Sequence, residues 1–350
     1  MKLPTIEQLH KGLLELLEER LETEPFILGA RAGMGAELLA VALLSSTQGF
    51  VLDTVPTGGD PGLLARALTR RVIAAIQPLP LDALNLPDRD AERSLLKLAD
   101  HYGSDLQAAI TVATSPPGAD TGEWTITRAL GSFPNRPLLV VRGAHRLPDT
   151  VMWELRELAA SSVRLLLLTT PEHRARLLDR DAPFYGMSAY AEMPTLSIVN
   201  WSTALRGQLP AEKLNELLRH TRYRTATTLE VLERHAQAGT DRPIAFAWFD
   251  AVDARGREAR SVLTVARAIH DVAPRLLTAL AGDAPPYSHT TERTDRVALA
   301  LRRLRDYDLI EQPEPRRWQI ADPLLNAAIR RLRHADDYFV ELYPDTTDVP

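Results

Sequence analysis

The stretch FILGARAGMGAELLAVALL, Phe26–Leu44, decides the architecture of the N-terminal part of this chain. It opens with a short apolar run, continues with glycines at positions 29, 33 and 35, and ends in an apolar segment of helical length. A strand, a glycine-rich turn and a helix in this order form a phosphate-binding loop, because backbone N–H groups at a helix N-terminus attract anions. The stretch therefore predicts a loop with the shape of a phosphate site.

Further apolar segments alternate with amphipathic ones through about the first 190 residues. Runs such as RPLLVV (136–141) and VRLLLLTT (163–170) are typical of strands in a parallel sheet that is buried on both faces. Strand–helix alternation predicts an α/β, three-layer αβα domain, which we place at residues 1–197. A third strand is expected at 49–55. Helices are expected at 5–22, 35–46, 88–99, 104–112, 125–132, 151–160 and 171–178, and another is expected to begin near Asp60.

The C-terminal part has a different pattern. Residues 198–272 contain helical segments without a strand candidate and predict a helical lid domain. Residues 273–335 show two helical segments, two short strand candidates around PEPR (313–316) and a final helix. This order predicts a winged helix-turn-helix, with LIEQ (309–312) and RWQI (317–320) as the strands of the wing. Residues 336–350 are expected to form a disordered tail.

Composition limits the classes of function. The chain has 350 residues, a net charge of −5 and no cysteine, so disulfides, thiolate metal sites and cysteine nucleophiles are excluded. The net charge does not indicate a general affinity for nucleic acid or anionic membranes. The N-terminus is not a signal peptide, and no run reaches membrane-spanning length, so we expect a cytoplasmic protein without a membrane partner. The nine histidines include no H-x-x-x-H pair, so we expect no metal site.

One interpretation of the loop is a dinucleotide site. Its glycines form G-x-x-x-G-x-G, and Asp53 follows Gly35 by 18 residues, where an acid would bind ribose hydroxyls. This region resembles the nucleotide loop of short-chain dehydrogenases over about 30 residues, which implies NAD or NADP as cofactor. Those enzymes also use a tyrosine with a lysine four residues later. Neither Tyr185, followed by GMSA, nor Tyr190, followed by AEMP, has that lysine.

The favoured interpretation is a P-loop that has lost its working residues. Aligned with G-x-x-x-x-G-K-[ST], the segment ARAGMGAE (30–37) has Ala36 in place of the lysine and Glu37 in place of the magnesium-binding hydroxyl. RPLLVVRGAH (136–145) resembles a Walker B strand in which Arg142 and Gly143 replace the two acids. VRLLLLTT resembles a sensor-1 strand, with Thr169 or Thr170 at the polar position. With the predicted lid and winged helix, most of the chain resembles a degenerate AAA+ or STAND-type ATPase.

This resemblance implies a nucleotide site at a defined set of positions. They are Gly29, Arg31, Gly33, Gly35, Ala36, Glu37, Arg142 and Thr169. The substitutions remove the lysine that pairs with phosphate and the groups that hold magnesium, so hydrolysis and catalytic residues are not expected. Two alternatives remain: Arg31 and Arg142 hold ATP or ADP weakly without magnesium, or Arg142 and Glu37 form a buried ion pair with no nucleotide.

The arginines suggest two kinds of partner. The segment from Thr291 to His334 contains ten arginines and seven acidic residues. The spacing of its apolar residues predicts that Val297, Leu301 and Leu304 point inward. The candidate DNA contacts are Arg296, Arg302, Arg305, Arg316 and Arg317. Arg174 and Arg180 are candidate contacts to a neighbouring subunit. We therefore expect a scaffold, adaptor or regulatory subunit that assembles with itself or with an active ATPase. The alternatives are a nucleotide-dependent enzyme, either an NTPase or an NAD(P)-binding one, and a ligand-sensing transcription regulator.

Overall fold

The computed structural model describes residues 2–54, 60, 62–64, 67–68, 71, 136–239, 242–287 and 292–342, with side chains up to position 332. The chain forms two compact units. The sheet unit comprises His10–Ala30 and Ala36–Met193, and the helical unit comprises Met1–Leu9, Arg31–Gly35 and Pro194–Pro350. The helices predicted at 88–99, 104–112 and 125–132 lie outside the described residues.

A five-stranded parallel sheet forms the centre of the sheet unit, as the apolar runs predict. The strand order is β2-β3-β4-β1-β5. The strands are β1 (Phe26–Gly29), β2 (Gly49–Asp53), β3 (Leu138–Arg142), β4 (Arg164–Thr169) and β5 (Ala189–Glu192). Strand β5 was not predicted, because its sequence, AYAE, lacks an apolar run; among the described residues its one partner strand is β1.

Helices cover both faces of this sheet. Along β1 and β4, Ile27, Leu165 and Leu167 point to the face that packs with α4, since alternate side chains of a strand point in opposite directions. The opposite face packs against α2 and α3. The helices of this unit are α2 (Lys11–Leu21), α3 (Ala36–Ser46), α4 (Asp149–Ser161) and α5 (Arg174–Leu178), with 3₁₀ turns at Ala144–Arg146 and Pro171–His173.

The first helix of the helical unit is α1 (Ile6–Leu9). The single helix predicted over 5–22 is interrupted at His10, whose backbone angles are not helical, so α1 and α2 are separate helices. The other elements of the helical unit follow the predicted order of helices, two strands and a last helix. They are α6 (Ile198–Ala204), α7 (Ala211–His220), α8 (Thr225–Ala238), α9 (Ile244–Ala254), α10 (Gly256–Ile269), α11 (Ala273–Ala281), α12 (Thr294–Asp306), β6 (Ile310–Glu314), β7 (Arg317–Ile320) and α13 (Pro323–Leu342).

One hydrophobic core runs through the helical unit from Leu196 to Ile329. It is continuous across position 272, where the sequence suggests a boundary between a lid and a winged helix. As predicted, Val297, Leu301 and Leu304 of α12 are buried in it. Strands β6 and β7 form an antiparallel pair with a bulge between Glu311 and Glu314. The division into lid, winged helix and tail stays a prediction.

Within the described ranges, every helix is too short or too polar to cross a lipid bilayer.

Candidate functional site

The strand order predicts a ligand crevice at the carboxyl ends of β1 and β4. After β1 the chain continues to β2, on one side of the sheet, whereas after β4 it continues to β5, on the other. Ligands of open α/β sheets bind where the connections that follow two neighbouring strands run to opposite sides of the sheet. Gly29 and Thr169 are register partners at this point, and the N–H of Ala30 donates to the carbonyl of Thr169 at 2.8 Å. Two of the predicted site residues therefore lie together at the expected place.

Arg142, at the end of β3, lies between two carboxylates at this edge of the sheet. Its Nη1 is 3.3 Å from Oδ2 of Asp53, its register partner on β2, and its Nη2 is 3.8 Å from Oε1 of Glu37. The pairing of Arg142 with Glu37 follows the prediction, but the expected burial is wrong because the Arg142 side chain is 43% exposed. The three side chains together carry a charge of −1.

Asp53 has a different position from the one that the dinucleotide interpretation requires. In a Rossmann unit β2 lies next to β1, which brings the acid after β2 close to the glycine loop. Here β3 and β4 lie between β1 and β2, and Asp53 pairs with Arg142 instead. The strand order therefore contradicts the Rossmann-type loop. Sequence reasoning named Asp53 but missed its partner, although both residues end consecutive predicted strands.

Gly29 is explained by packing within the sheet unit. A Cβ at this position would lie 2.7 Å from the hydroxyl of Tyr190 on β5. That hydroxyl donates to Oε1 of Glu192 at 2.9 Å, and burial together with this carboxylate raises its pKa above the ordinary range. The guanidinium of Arg174 lies 4.5 Å from the centre of the Tyr190 ring. Arg174, a predicted subunit contact, thus has a contact inside its own unit, whereas Arg180 is exposed.

Thr169 lies in a buried cluster of two histidines. Nδ1 of His145 is 3.1 Å from Oγ1 of Thr169, and the His145 ring stacks on His173 with centroids 4.2 Å apart. His145 lies just after β3, in the 3₁₀ turn Ala144–Arg146. His173 was missed because it is 28 positions away from His145 in the sequence and belongs to no recognisable motif.

The loop Arg31–Gly35 packs against the start of α8 within the helical unit. The carbonyl of Gly33 accepts from the N–H groups of Ala226 at 2.9 Å and Thr227 at 3.2 Å. Gly33 has a φ of +76°, and a Cβ there would lie 2.3 Å from Oγ1 of Thr227. Gly35 has a φ of +99°, and a Cβ there would lie 3.0 Å from Cδ1 of Ile6, a less severe contact than at Gly33. The first turn of α8, which in other proteins can bind an anion, donates here to the loop.

Arg224, one residue before α8, forms a buried ion pair. Nη2 of Arg224 lies 2.9 Å and 2.7 Å from the two carboxylate oxygens of Glu311 on β6, and both side chains are less than one-tenth exposed. Gln319 of β7 donates to the same carboxylate at 2.6 Å. Arg222 donates to the carbonyl of Ile320 at 2.7 Å, and its pKa is lowered by burial. Sequence reasoning missed this network, because RYR (222–224) matches no motif.

The predicted DNA contacts do not form a uniform basic face. Arg296 pairs with Asp271 and, at 2.6 Å, with Glu292, while Arg317 lies 3.6 Å from Glu314. Arg305, which was expected to point outward, is half-buried, with its Nε fully covered. Arg302 and Arg316 are exposed, as expected.

Comparisons with protein-family models and with curated proteins found no match. Among solved structures, the chain is similar to a Walker-type ATPase of Pyrococcus abyssi, with 14% identity and a TM-score of 0.53 over 94% of this chain and 98% of that one. It is also similar to the Orc1 protein of Aeropyrum pernix, solved in complex with DNA, with 11% identity and a TM-score of 0.45 over 96% and 95% of the chains. The likeness to the Walker-type ATPase, together with the parallel sheet, shows that the chain has the α/β fold of P-loop ATPases.

Proposed function

We propose that this protein is a non-catalytic member of the P-loop ATPase fold. It acts as a scaffold, adaptor or regulatory subunit, in assemblies with further copies of itself or with an active ATPase. The observation that carries the proposal is the cluster of Arg142, Glu37 and Asp53 at the carboxyl edge of the sheet. In the ATPases that the sequence resembles, the positions of Glu37 and Arg142 carry groups that hold magnesium.

The charges of this cluster oppose nucleotide hydrolysis. With Ala36 in place of lysine, a cation is missing that would contribute about 4 kcal/mol at 4 Å from a phosphate, for an effective dielectric constant near 20. Arg142 places a cation where a magnesium site needs carboxylates. Glu37 and Asp53 already neutralise Arg142 and leave one negative charge, which repels triphosphate.

The contacts of the loop support the same proposal. Gly33 and Gly35 have backbone angles that favour glycine; an added Cβ would overlap with Thr227 at Gly33 and would be in tight contact with Ile6 at Gly35. These requirements arise from packing against Ile6 and against Ala226 and Thr227 of α8. The glycine pattern is thus accounted for by the protein's own contacts, without a bound phosphate.

Isothermal titration with ATP, in the presence and absence of Mg²⁺, tests the proposal. We expect no dissociation constant below 1 mM for ATP, with or without Mg²⁺, and no release of phosphate. The matched variant is Ala36→Lys/Glu37→Thr, which restores the lysine and hydroxyl of the loop. This variant should bind ATP more tightly than the wild type, because it adds a phosphate partner and removes a carboxylate.

Sub-millimolar binding of ATP with Mg²⁺ to the wild type, together with turnover, would contradict the proposal. Magnesium-independent binding of ATP or ADP that is lost in Arg142→Gln would instead support the alternative in which arginine holds the nucleotide. Thermal shift with NAD and NADP completes the panel, and we expect no response to either.

DNA contact is a second candidate role, which the exposed Arg302 and Arg316 favour. Arginines on the surface of DNA-binding proteins contact phosphates or base edges. If the role holds, Arg302→Gln/Arg316→Gln should weaken DNA retention in a gel shift, whereas Arg260→Gln, on an exposed part of α10, should not. Equal retention by all three proteins would count against it.

A further inference from the structure

A cavity of about 680 Å³ lies within the helical unit, between α9 and the first turns of α13. This volume is in the usual range for a small-molecule site. One part of its wall is apolar and comes from Trp248, Phe249 and Val252 of α9 and from Pro323 and Ala327 of α13. The cavity does not include any residue of the loop 31–35 or of the sheet unit, so it is separate from the site described above.

Three arginines line the other part of the wall: Arg222, Arg330 and Arg331. The only acid among the lining residues is Asp253, and His220 and Asn326 are the other polar groups. Arginines therefore exceed acids by two in the lining. Asp283 and Glu311 lie within ion-pair distance of Arg330 and Arg222 from outside the lining, so the excess of guanidinium donors at the wall, rather than a net charge, favours an anion over a neutral or cationic molecule.

Each of these arginines is held by a protein contact. Nη1 of Arg331 is 2.7 Å from Oδ1 of Asp253, Arg330 pairs with Asp283, and Nη1 of Arg222 donates to the carbonyl of Ile320 at 2.7 Å. A guanidinium has five N–H donors, so these contacts fix its position and leave other donors for a ligand. Anchored arginines lose less side-chain entropy when they bind an anion.

The apolar wall carries an aromatic side chain that is unusually accessible. Phe249 is 54% exposed, although burial of a phenylalanine is strongly favourable. Beside it, Trp248 is half-buried, and its ring lies 5.8 Å from that of His220. Two aromatic side chains next to anchored arginines offer a planar surface and a cationic end in one cavity.

We propose that this cavity binds a small aromatic molecule that carries a carboxylate or a phosphate. The aromatic body packs on Phe249 and Trp248, and the anionic group accepts hydrogen bonds from Arg331 and its neighbours. This inference does not depend on the function proposed above, because it uses other residues in a different part of the chain.

Isothermal titration of the full chain with three probes tests the proposal. The probes are 1-naphthoate, adenosine 5′-monophosphate and 1-naphthylmethylammonium, whose charge is reversed. We expect one or both anions to bind and the cation not to bind. Naphthoate and the monophosphate distinguish a carboxylate ligand from a phosphate ligand.

Variants locate the binding. Phe249→Ala and Arg331→Gln change exposed side chains, so the fold should be retained, which thermal unfolding verifies. Each should weaken binding of the anion about tenfold, as loss of a charged hydrogen bond or of an aromatic contact does. Arg260→Gln is the matched control, since it removes an exposed arginine outside the cavity and should leave affinity unchanged.

Failure of both anions to bind at 1 mM would overturn the proposal. Binding that neither Phe249→Ala nor Arg331→Gln weakens would also overturn it, because the ligand would then lie elsewhere. Equal affinity for the ammonium probe would show that the arginines do not select the ligand, and this too would count against the proposal.

Discussion

Two features of position 33 require glycine: the backbone angle, and the lack of space for a side chain. The φ of +76° disfavours any residue with a Cβ, and the neighbouring Thr227 leaves no space for one. Gly29 differs, because only the Tyr190 hydroxyl excludes a side chain there. A glycine pattern alone does not distinguish such packing from close approach to a phosphate. The sequence therefore predicted the turn correctly, while the reason for each glycine needed the contacts.

A substitution at Gly33 separates these two requirements. Gly33→Ala should lower the free energy of unfolding by about 3 kcal/mol, since it adds a steric overlap to a left-handed backbone. Gly186→Ala is the control: its φ is +68°, but no heavy atom lies within 4 Å of the added Cβ. We expect about 1 kcal/mol there, from the backbone alone. Equal losses in urea unfolding would mean that the contact with Thr227 has no energetic effect.

Glu311 offers a second test at the level of single residues. Glu311→Gln leaves the buried Arg224 without its counter-ion and should cost about 3–5 kcal/mol. Glu314→Gln, on the same strand, breaks an exposed pair with Arg317 and should cost less than about 1 kcal/mol. Chemical denaturation of both variants measures the difference. A loss below 1 kcal/mol for Glu311→Gln would show that the buried pair does not stabilise the fold.

Some helix starts in this chain are capped by side chains. The carboxylate of Asp60 accepts from the N–H of Leu63 at 2.9 Å, as expected for a residue that caps the first turn of a helix. Ser197 and Asn200 form a reciprocal capping box at the start of α6. By contrast, β5 was missed, because an edge strand needs only one hydrogen-bonded neighbour and has no distinct pattern in the sequence.

Removing the Ser197 cap tests how much this cap contributes to the stability of the protein. Ser197→Ala should destabilise the protein by about 1 kcal/mol, because an N–H group in the first turn loses its acceptor. Ser45→Ala, near the end of α3, is the control; its hydroxyl donates only to the carbonyl of Ala42, and alanine favours a helix. We expect a change within about 0.5 kcal/mol there. Thermal unfolding of both variants measures the contrast, and equal effects would contradict the role of the cap.

The described residues form two hydrophobic cores, one in each unit. The core of the sheet unit includes side chains of β1 to β4 and α4, and that of the helical unit runs from Leu196 to Ile329. The loop Arg31–Gly35 belongs to the helical unit, although β1 precedes it and α3 follows it. Chain order alone would assign this loop to the sheet.

Hydrogen exchange can show whether a local defect remains within one unit. In Glu311→Gln, amides of α8, β6 and β7 should lose protection, because the broken pair joins these elements. Amides of β1, β3 and β4 should keep their protection, since neither partner of the pair lies in the sheet unit. Equal loss in both sets would show that the two units unfold together.

The sequence by itself determined the parallel sheet and the turn after β1, and at Ala36 and Glu37 it predicts the loss of P-loop chemistry. Apolar runs, glycines and a missing lysine are local properties that can be read from residue types. Tertiary structure decided the order of the strands, the pairing of Arg142 with Asp53, and the contact of Gly33 with α8. These features depend on residues far apart in the chain, since only folding places a carboxylate or a helix start beside its partner.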